Sequence, residues 1–241
     1  MGQAQCALGL QDKAKKTYEN ILEKEYLIDR DKIITIYNGI NPKKIKNLKD
    51  EVITEYREIF DNDKIIKFIT VGRFCEEKGY EYLIKAFSEV RKQIPESKLI
   101  LIGDGPLYNT IKNLIKKERL EKDIILLGLR RNPFKYLSKS DIFILSSITE
   151  GLGIVILEAL ACEIPIISTD CVGPKEILDN GKYGLIVKKM DSKELAEKMI
   201  ILANDKKLLN LYSNQSFKRA EFFDIEKITD LWRNLINSCI N

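Results

Sequence analysis

Glu150 and Glu158 stand eight positions apart and enclose the run Gly151-Leu152-Gly153-Ile154-Val155-Ile156-Leu157. Residue types at this spacing suit a particular chemistry. Glycine lets a backbone approach a ligand closely. The apolar run can open a helix, whose N-terminal N–H groups and dipole favour phosphate. Carboxylates accept hydrogen bonds from sugar or ribose hydroxyls. An acid at 158, among Ile154, Val155, Ile156, Leu157, Ala159 and Leu160, is costly unless it has a partner, and a ribose would supply one. The plainer alternative is an exposed loop acid followed by a helix acid paired with lysine. The segment fits a ligand that carries both phosphate and many hydroxyls, as a nucleotide-sugar does.

Cationic groups occur at a second place. In Gly72-Arg73-Phe74-Cys75-Glu76-Glu77-Lys78-Gly79, Arg73 and Lys78 can converge on a diphosphate, with arginine offering a fork of donors. Alone, the segment also reads as an ordinary charged loop. Gly103-Asp104-Gly105-Pro106 is half of a dinucleotide fingerprint, with Tyr108 where the third glycine belongs, so ligand contact and a tight strand-to-helix turn are equal readings. Asp61-Asn62-Asp63 has the D-x-D form of a metal-binding motif but precedes the first strand, the wrong end of a sheet for a site, and reads as a turn. Gly173-Pro174-Lys175-Glu176 is either a helix start or a loop lining a sugar pocket.

The elements that must position these residues alternate. Strands are expected over 64–72, 98–103, 124–128, 141–146, 165–169 and 184–187. Helices are expected over 80–94, 107–120 and 153–162, with a short piece at 176–178. Apolar strands separated by amphipathic helices predict a doubly wound α/β domain with a parallel sheet covered on both faces. Ligands in such sheets bind beyond the carboxyl ends of the strands. Arg73, Asp104-Gly105, Arg130 and Glu150 each follow a strand, so four strand ends face one crevice. Helices are also expected over 192–204, 206–217 and 224–240, the last carrying Trp232 in a core or domain seam. Earlier, a helix over 13–24 and a strand over 32–37 precede the turn at Asn38-Gly39, and the lysine-rich stretch 41–50 reads as a linker or loop.

The chain has 241 residues, 44% hydrophobic, with 40 basic and 36 acidic side chains interspersed for a net charge of +4. No clustered basic face or recognisable module indicates nucleic acid. Five scattered cysteines and no histidine argue against a structural zinc site and for a reducing compartment. No apolar run is long enough to span a membrane, and no secretory signal is visible. Met1-Gly2 opens like a myristoylation site, but Cys6 stands where Ser or Thr is required.

These motifs together resemble the C-terminal, donor-binding half of a retaining GT-B glycosyltransferase of family 4, the group 1 glycosyltransferases. The resemblance rests on Asn38-Gly39-Ile40-Asn41, Val71-Gly72-Arg73 with Lys78-Gly79, Leu101-Ile102-Gly103-Asp104-Gly105-Pro106, Glu150-Gly151-Leu152-Gly153 through Glu158, and Gly173-Pro174-Lys175-Glu176. It covers roughly residues 30–240. It implies a Rossmann-like domain over 51–241 with extra C-terminal helices, and a linker with a remnant of an acceptor domain over 1–50. It implies transfer of a glycosyl group with retention, without a bound metal or other cofactor. Arg73 and Lys78 would hold the departing diphosphate and Glu150 the transferred sugar. Backbone N–H groups of Gly151, Leu152, Gly153 and Ile154 would face phosphate or sugar, and Glu158 the ribose. Strand-end backbone near Gly103 and Arg130 would meet the base, and Gly72 would also contact the substrate.

By the same resemblance the donor is a nucleotide-diphosphate sugar, with a UDP-linked hexose or N-acetylhexosamine favoured. The acceptor is a glycan or lipid-linked molecule, reached through an N-terminal domain that the chain is expected to lack. The setting is polysaccharide assembly in the cytoplasm, with peripheral association at the inner face of the membrane for the full enzyme. Rival readings are a non-catalytic nucleotide-sugar-binding module that needs a partner chain and a GT-B nucleotide-sugar epimerase. A dehydrogenase domain is least compatible with the broken glycine fingerprint.

Overall fold

The computed structural model describes residues 34–240. The helix expected over 13–24 lies outside them, as does the start of the strand expected over 32–37. Six parallel strands form one sheet: β1 (Ile66–Val71), β2 (Ser97–Ile102), β3 (Ile124–Gly128), β4 (Ile142–Leu145), β5 (Ile166–Thr169) and β6 (Leu185–Val187), in the order β3-β2-β1-β4-β5-β6. The order reverses between β1 and β4. Crossovers on the two sides of that point leave the sheet in opposite directions, and a crevice opens there at the carboxyl ends.

The strands form because each is a run of β-branched and aliphatic residues, and both faces are buried. Alternate side chains go to opposite layers. Ile69, Ile100, Ile102, Phe143 and Leu145 join one core. Phe68, Leu99, Leu101, Ile142 and Ile144 join the other. The helices are α1 (Pro42–Leu48), α2 (Arg57–Phe60), α3 (Tyr80–Gln93), α4 (Tyr108–Lys117), α5 (Phe134–Leu137), α6 (Ile154–Ala161), α7 (Val172–Ile177), α8 (Ser192–Asn204), α9 (Lys206–Ala220) and α10 (Ile225–Ile240). The first core takes side chains from α1, α5, α6 and α7. The second takes them from α3, α4 and α8.

The structure corrects several boundaries and one whole element. Residues 42–48 are helix α1 rather than loop. Asn41 caps it by accepting from the Lys44 N–H at 2.8 Å, and Pro42 opens its first turn. The strand expected up to residue 37 is not formed over 35–37. The chain there is irregular until Ile40 makes a single parallel bridge to Asp224. The short helix expected at 176–178 is α7, which starts four residues earlier. The turn reading of Asp61-Asn62-Asp63 holds: Asn62 accepts from the Lys64 N–H at 3.0 Å, well before β1.

Helix α10 is held through Ile228 and Leu235, which pack with Ile36. Its Leu231, Trp232, Ile236 and Ile240 are exposed. Trp232 is therefore not a core residue of this domain.

Candidate functional site

The loops after β1 and β2 are interlocked. The Phe74 N–H donates to the Asp104 carbonyl and the Leu107 N–H to the Phe74 carbonyl, both at 2.9 Å. Gly103 has φ +151°, and a Cβ placed there would lie 1.9 Å from the Gly72 carbonyl oxygen. No side chain fits at that position. The close approach that glycine permits here is therefore between two protein backbones. The Phe74 ring sits edge-on to Tyr80 and stacks beside Tyr108. The Tyr80 hydroxyl donates to the Gly72 carbonyl at 3.0 Å, and burial pushes its pKa up. Tyr80→Phe removes one neutral hydrogen bond and leaves the Gly72 carbonyl less satisfied. It is expected to cost about 1 kcal/mol in denaturant unfolding, a loss that a freely mobile loop would not show.

This scaffold presents Arg73 at the surface, where its guanidinium makes no ion pair with a described residue. Val71, Gly72, Arg73, Gly103, Leu129 and Arg130 contribute to one cleft of about 510 Å³ beyond the ends of β1, β2 and β3. The structure thus brings together Gly72, Arg73, Gly103 and Arg130 as expected from sequence.

The loops after β1 and β4 are tied as firmly. The Ile148 and Thr149 N–H groups donate to the Glu77 carbonyl at 2.7 and 3.3 Å, and the Ser146 hydroxyl donates to the Lys78 carbonyl at 2.9 Å. The result is an ion pair between Lys78 Nζ and Glu150 Oε2 at 2.5 Å, with side chains 23% and 13% exposed. The same Glu150 oxygen accepts from Ser147 Oγ at 3.1 Å. Ser147 is fixed from β5, since its carbonyl accepts from Thr169 Oγ1 at 2.7 Å and from Cys171 Sγ at 3.3 Å. The two clusters adjoin, because a Cβ on Gly72 would lie 3.8 Å from Lys78 Cε.

Gly153, in the left-handed region at φ +79°, turns the chain into α6 and has no side-chain cap. A Cβ there would press on Glu150 Cγ at 3.3 Å. The helix start has no side-chain cap, and while the Ile156 N–H donates to the Gly153 carbonyl at 2.8 Å, those of Ile154 and Val155 have no acceptor among the described residues. Gly151 is exposed, and a Cβ on it would meet nothing within 4 Å. Leu152 packs against the core.

Glu158 lies one turn beyond Ile154 and shares its face. It is half-buried, and no described residue forms a hydrogen bond or ion pair with its carboxylate. Burial raises its pKa above the ordinary 4.5, so it ionises only against a desolvation cost.

Gly173-Pro174-Lys175-Glu176 lies inside α7 and is not a free loop. Gly173 and Pro174 are buried. Glu176 accepts from the Tyr37 hydroxyl. Its carbonyl and that of Ile177 accept from Arg219 at 2.9 and 2.7 Å, and the Arg219 guanidinium lies 5.0 Å from the rings of Tyr183, Phe222 and Phe223. These residues fasten α7 to the segment before α1 and to the end of α9, a structural task.

Sequence reasoning missed Glu55. Its carboxylate accepts from Arg130 Nη2 at 3.1 Å and from the Tyr136 hydroxyl at 2.5 Å. No motif marks it. Arg130 lines the cleft, and its side chain is held by this acid.

Fold and cleft together define a doubly wound α/β domain with a glycine-edged crevice at the carboxyl ends of β1, β2 and β3. The glycosyl transferases group 1 family model matches residues 52–219, and the chain belongs to that family. An uncharacterized glycosyltransferase of Methanocaldococcus jannaschii is 37% identical over 93% of this chain and 63% of its own length. The Campylobacter jejuni N-acetylgalactosamine-N,N'-diacetylbacillosaminyl-diphospho-undecaprenol 4-alpha-N-acetylgalactosaminyltransferase is 30% identical over 89% of this chain and 56% of its own length. The crystal structure of a glycosyltransferase from Rickettsia africae superposes with a TM-score of 0.79 at 21% identity, over 94% of this chain and 62% of that one, so it shares the fold. The chain spans 63% and 56% of these two curated relatives. No helix among the described residues is long and apolar enough to cross a membrane.

Proposed function

We propose that this chain supplies the donor-binding half of a retaining glycosyltransferase, taking a nucleotide-diphosphate sugar, with UDP favoured. The observation that carries this reading is the meeting of Gly72, Arg73, Gly103 and Arg130 in one cleft, adjoined by the Lys78–Glu150 pair. The nucleoside lies over the ends of β2 and β3. The diphosphate lies at Arg73, Lys78 and the start of α6, and Glu158 accepts from the ribose hydroxyls. The transferred sugar meets Glu150. When the bond from the anomeric carbon to the diphosphate oxygen breaks, the electron pair stays with the diphosphate. Arg73 and Lys78 are then placed against charge that develops in the transition state, where fixed cationic donors act most strongly. The acceptor hydroxyl bonds to the anomeric carbon on the face the diphosphate leaves, and its proton passes to the departing diphosphate oxygen.

The acceptor is a glycan or a lipid-linked saccharide, the second favoured by the name of the Campylobacter jejuni relative. It binds an additional domain, which makes residues 1–50 a linker and the end of an acceptor domain, and 51–241 the donor domain. The exposed apolar face of α10 around Trp232 supports such a neighbour. We place the enzyme in the cytoplasm, with peripheral membrane contact made through the acceptor domain.

Calorimetry with UDP, GDP and ADP, alongside a transfer assay on the purified chain, tests the reading. Tight binding of one nucleotide with negligible transfer is expected. Robust transfer to an added acceptor would refute the need for a further domain, and no nucleotide binding would refute the site.

A further inference from the structure

The geometry points to Glu55 as the residue that positions Arg130 for nucleotide selection, an inference that rests on the cleft taking the nucleoside. Glu55 lies 75 positions from Arg130 in sequence, in the segment before α2. Three contacts stitch that stretch onto the chain after β3. Asn132 donates to the Leu48 carbonyl at 2.8 Å, Ser138 to that of Lys49 at 2.9 Å, and Lys135 to that of Val52 at 3.3 Å. Tyr56 follows in the left-handed conformation, with φ +53° and ψ +33°. That backbone is strained for a bulky side chain, and strain of this kind persists where its surroundings over-determine it. The turn at Tyr56 directs the chain so that both oxygens of Glu55 are engaged, one by Arg130 and the other by the buried Tyr136. Tyr136 is itself held against Phe60 at a ring distance of 5.4 Å.

The pair does little for stability. Its side chains are 29% and 40% exposed, and exposed ion pairs add little to folding. Arg130 Nε is buried and makes no hydrogen bond to a described residue. What the pair does is electrostatic and geometric. Glu55 matches the charge of Arg130 and holds its Nη2 at 3.1 Å, while Nη1 donates to the Leu129 carbonyl at 3.4 Å, whereas Arg73 makes no such pair. Arg130 is thereby held at the cleft wall as a planar edge for a base. Glu55 thus acts on which nucleotide enters, through Arg130, and leaves diphosphate binding to Arg73 and Lys78.

The test is calorimetry with UDP, GDP, ADP and inorganic pyrophosphate on the whole chain and on Glu55→Gln, Tyr136→Phe and Arg130→Ala. In Glu55→Gln, the preference for the best nucleotide over the other two is expected to fall about tenfold. Pyrophosphate affinity and the thermal midpoint should stay as in the wild type. Tyr136→Phe should show a smaller loss in the same direction, because the Glu55–Arg130 contact remains. Arg130→Ala should lose the preference fully. An unchanged preference in Glu55→Gln, with loss in Arg130→Ala, would overturn the positioning role and leave the nucleoside reading standing. An unchanged preference in both would overturn the nucleoside reading as well. Parallel weakening of all four ligands with a lower midpoint would make Glu55 merely structural and overturn the inference.

Discussion

Arg73→Ala is expected to lower sugar transfer by about 10²–10³-fold, with the acceptor-binding domain present. That is the loss typical of removing one fixed donor from developing transition-state charge, about 2.7–4 kcal/mol. Lys78→Met should lose a similar factor. The two variants differ in what they do to the free protein. Arg73 is exposed and makes no ion pair with a described residue, so its removal should leave the melting temperature unchanged. Lys78 is the partner of Glu150 at 2.5 Å, and its removal takes the ion pair away from a largely buried carboxylate. Removing one partner of a buried pair is destabilising in its own right, so Lys78→Met should melt lower. Transfer by Arg73→Ala at the wild-type rate would remove Arg73 from the diphosphate site.

Glu158→Gln is expected to weaken nucleotide binding at least tenfold, about 1.4 kcal/mol, and yet raise the thermal midpoint at neutral pH. The second effect follows from the raised pKa, whose cause is burial. The folded state holds this proton to higher pH than the unfolded chain does. Glu158 therefore costs nothing below the unfolded carboxylate pKa, and stability is lost as pH rises through the folded one. Glutamine has no charge to desolvate and escapes that loss. The gain in midpoint should vanish near pH 3 and be complete above the folded pKa. Nucleotide affinity equal to wild type would end the ribose assignment, and a lower midpoint at pH 7 would contradict the desolvation account.

Much of the crevice was legible because its residues sit at strand ends, and strand ends are easy to see. Ile65 to Val71, apolar but for Lys67 and Thr70, and the apolar run Leu99 to Ile102 each end at a glycine, so Arg73 and Gly103 could be placed from the pattern alone. Lys78 and Glu150 come from loops some seventy residues apart, and only the adjacency of β1 and β4 brings them together. Helix α1 was misread because its lysines look like a solvated linker. The signal was present in Asn41 followed by Pro42, a cap and a first-turn residue. Glu55 carried no local signal at all. Its role depends on a backbone turn at Tyr56 and on a partner beyond β3, and neither has a periodicity or a motif. Of the two readings of Gly173-Pro174-Lys175-Glu176, the helix is the one formed, and its glycine and proline are buried residues of α7.

Because Gly103 is wedged against the Gly72 carbonyl, sequence drift has almost no room at that turn. Any side chain there meets backbone at 1.9 Å, and backbone has no rotamer with which to yield. At the other edge of the same cleft, Leu129 is 78% exposed, where substitutions are typically worth less than about 0.5 kcal/mol. The two walls of the cleft should therefore diverge at different speeds. The turn after β2 is frozen by the fold itself, whether or not selection acts on catalysis. The edge after β3 is free to vary, so the shape of the cleft can change there without rebuilding the interlocked loops after β1 and β2.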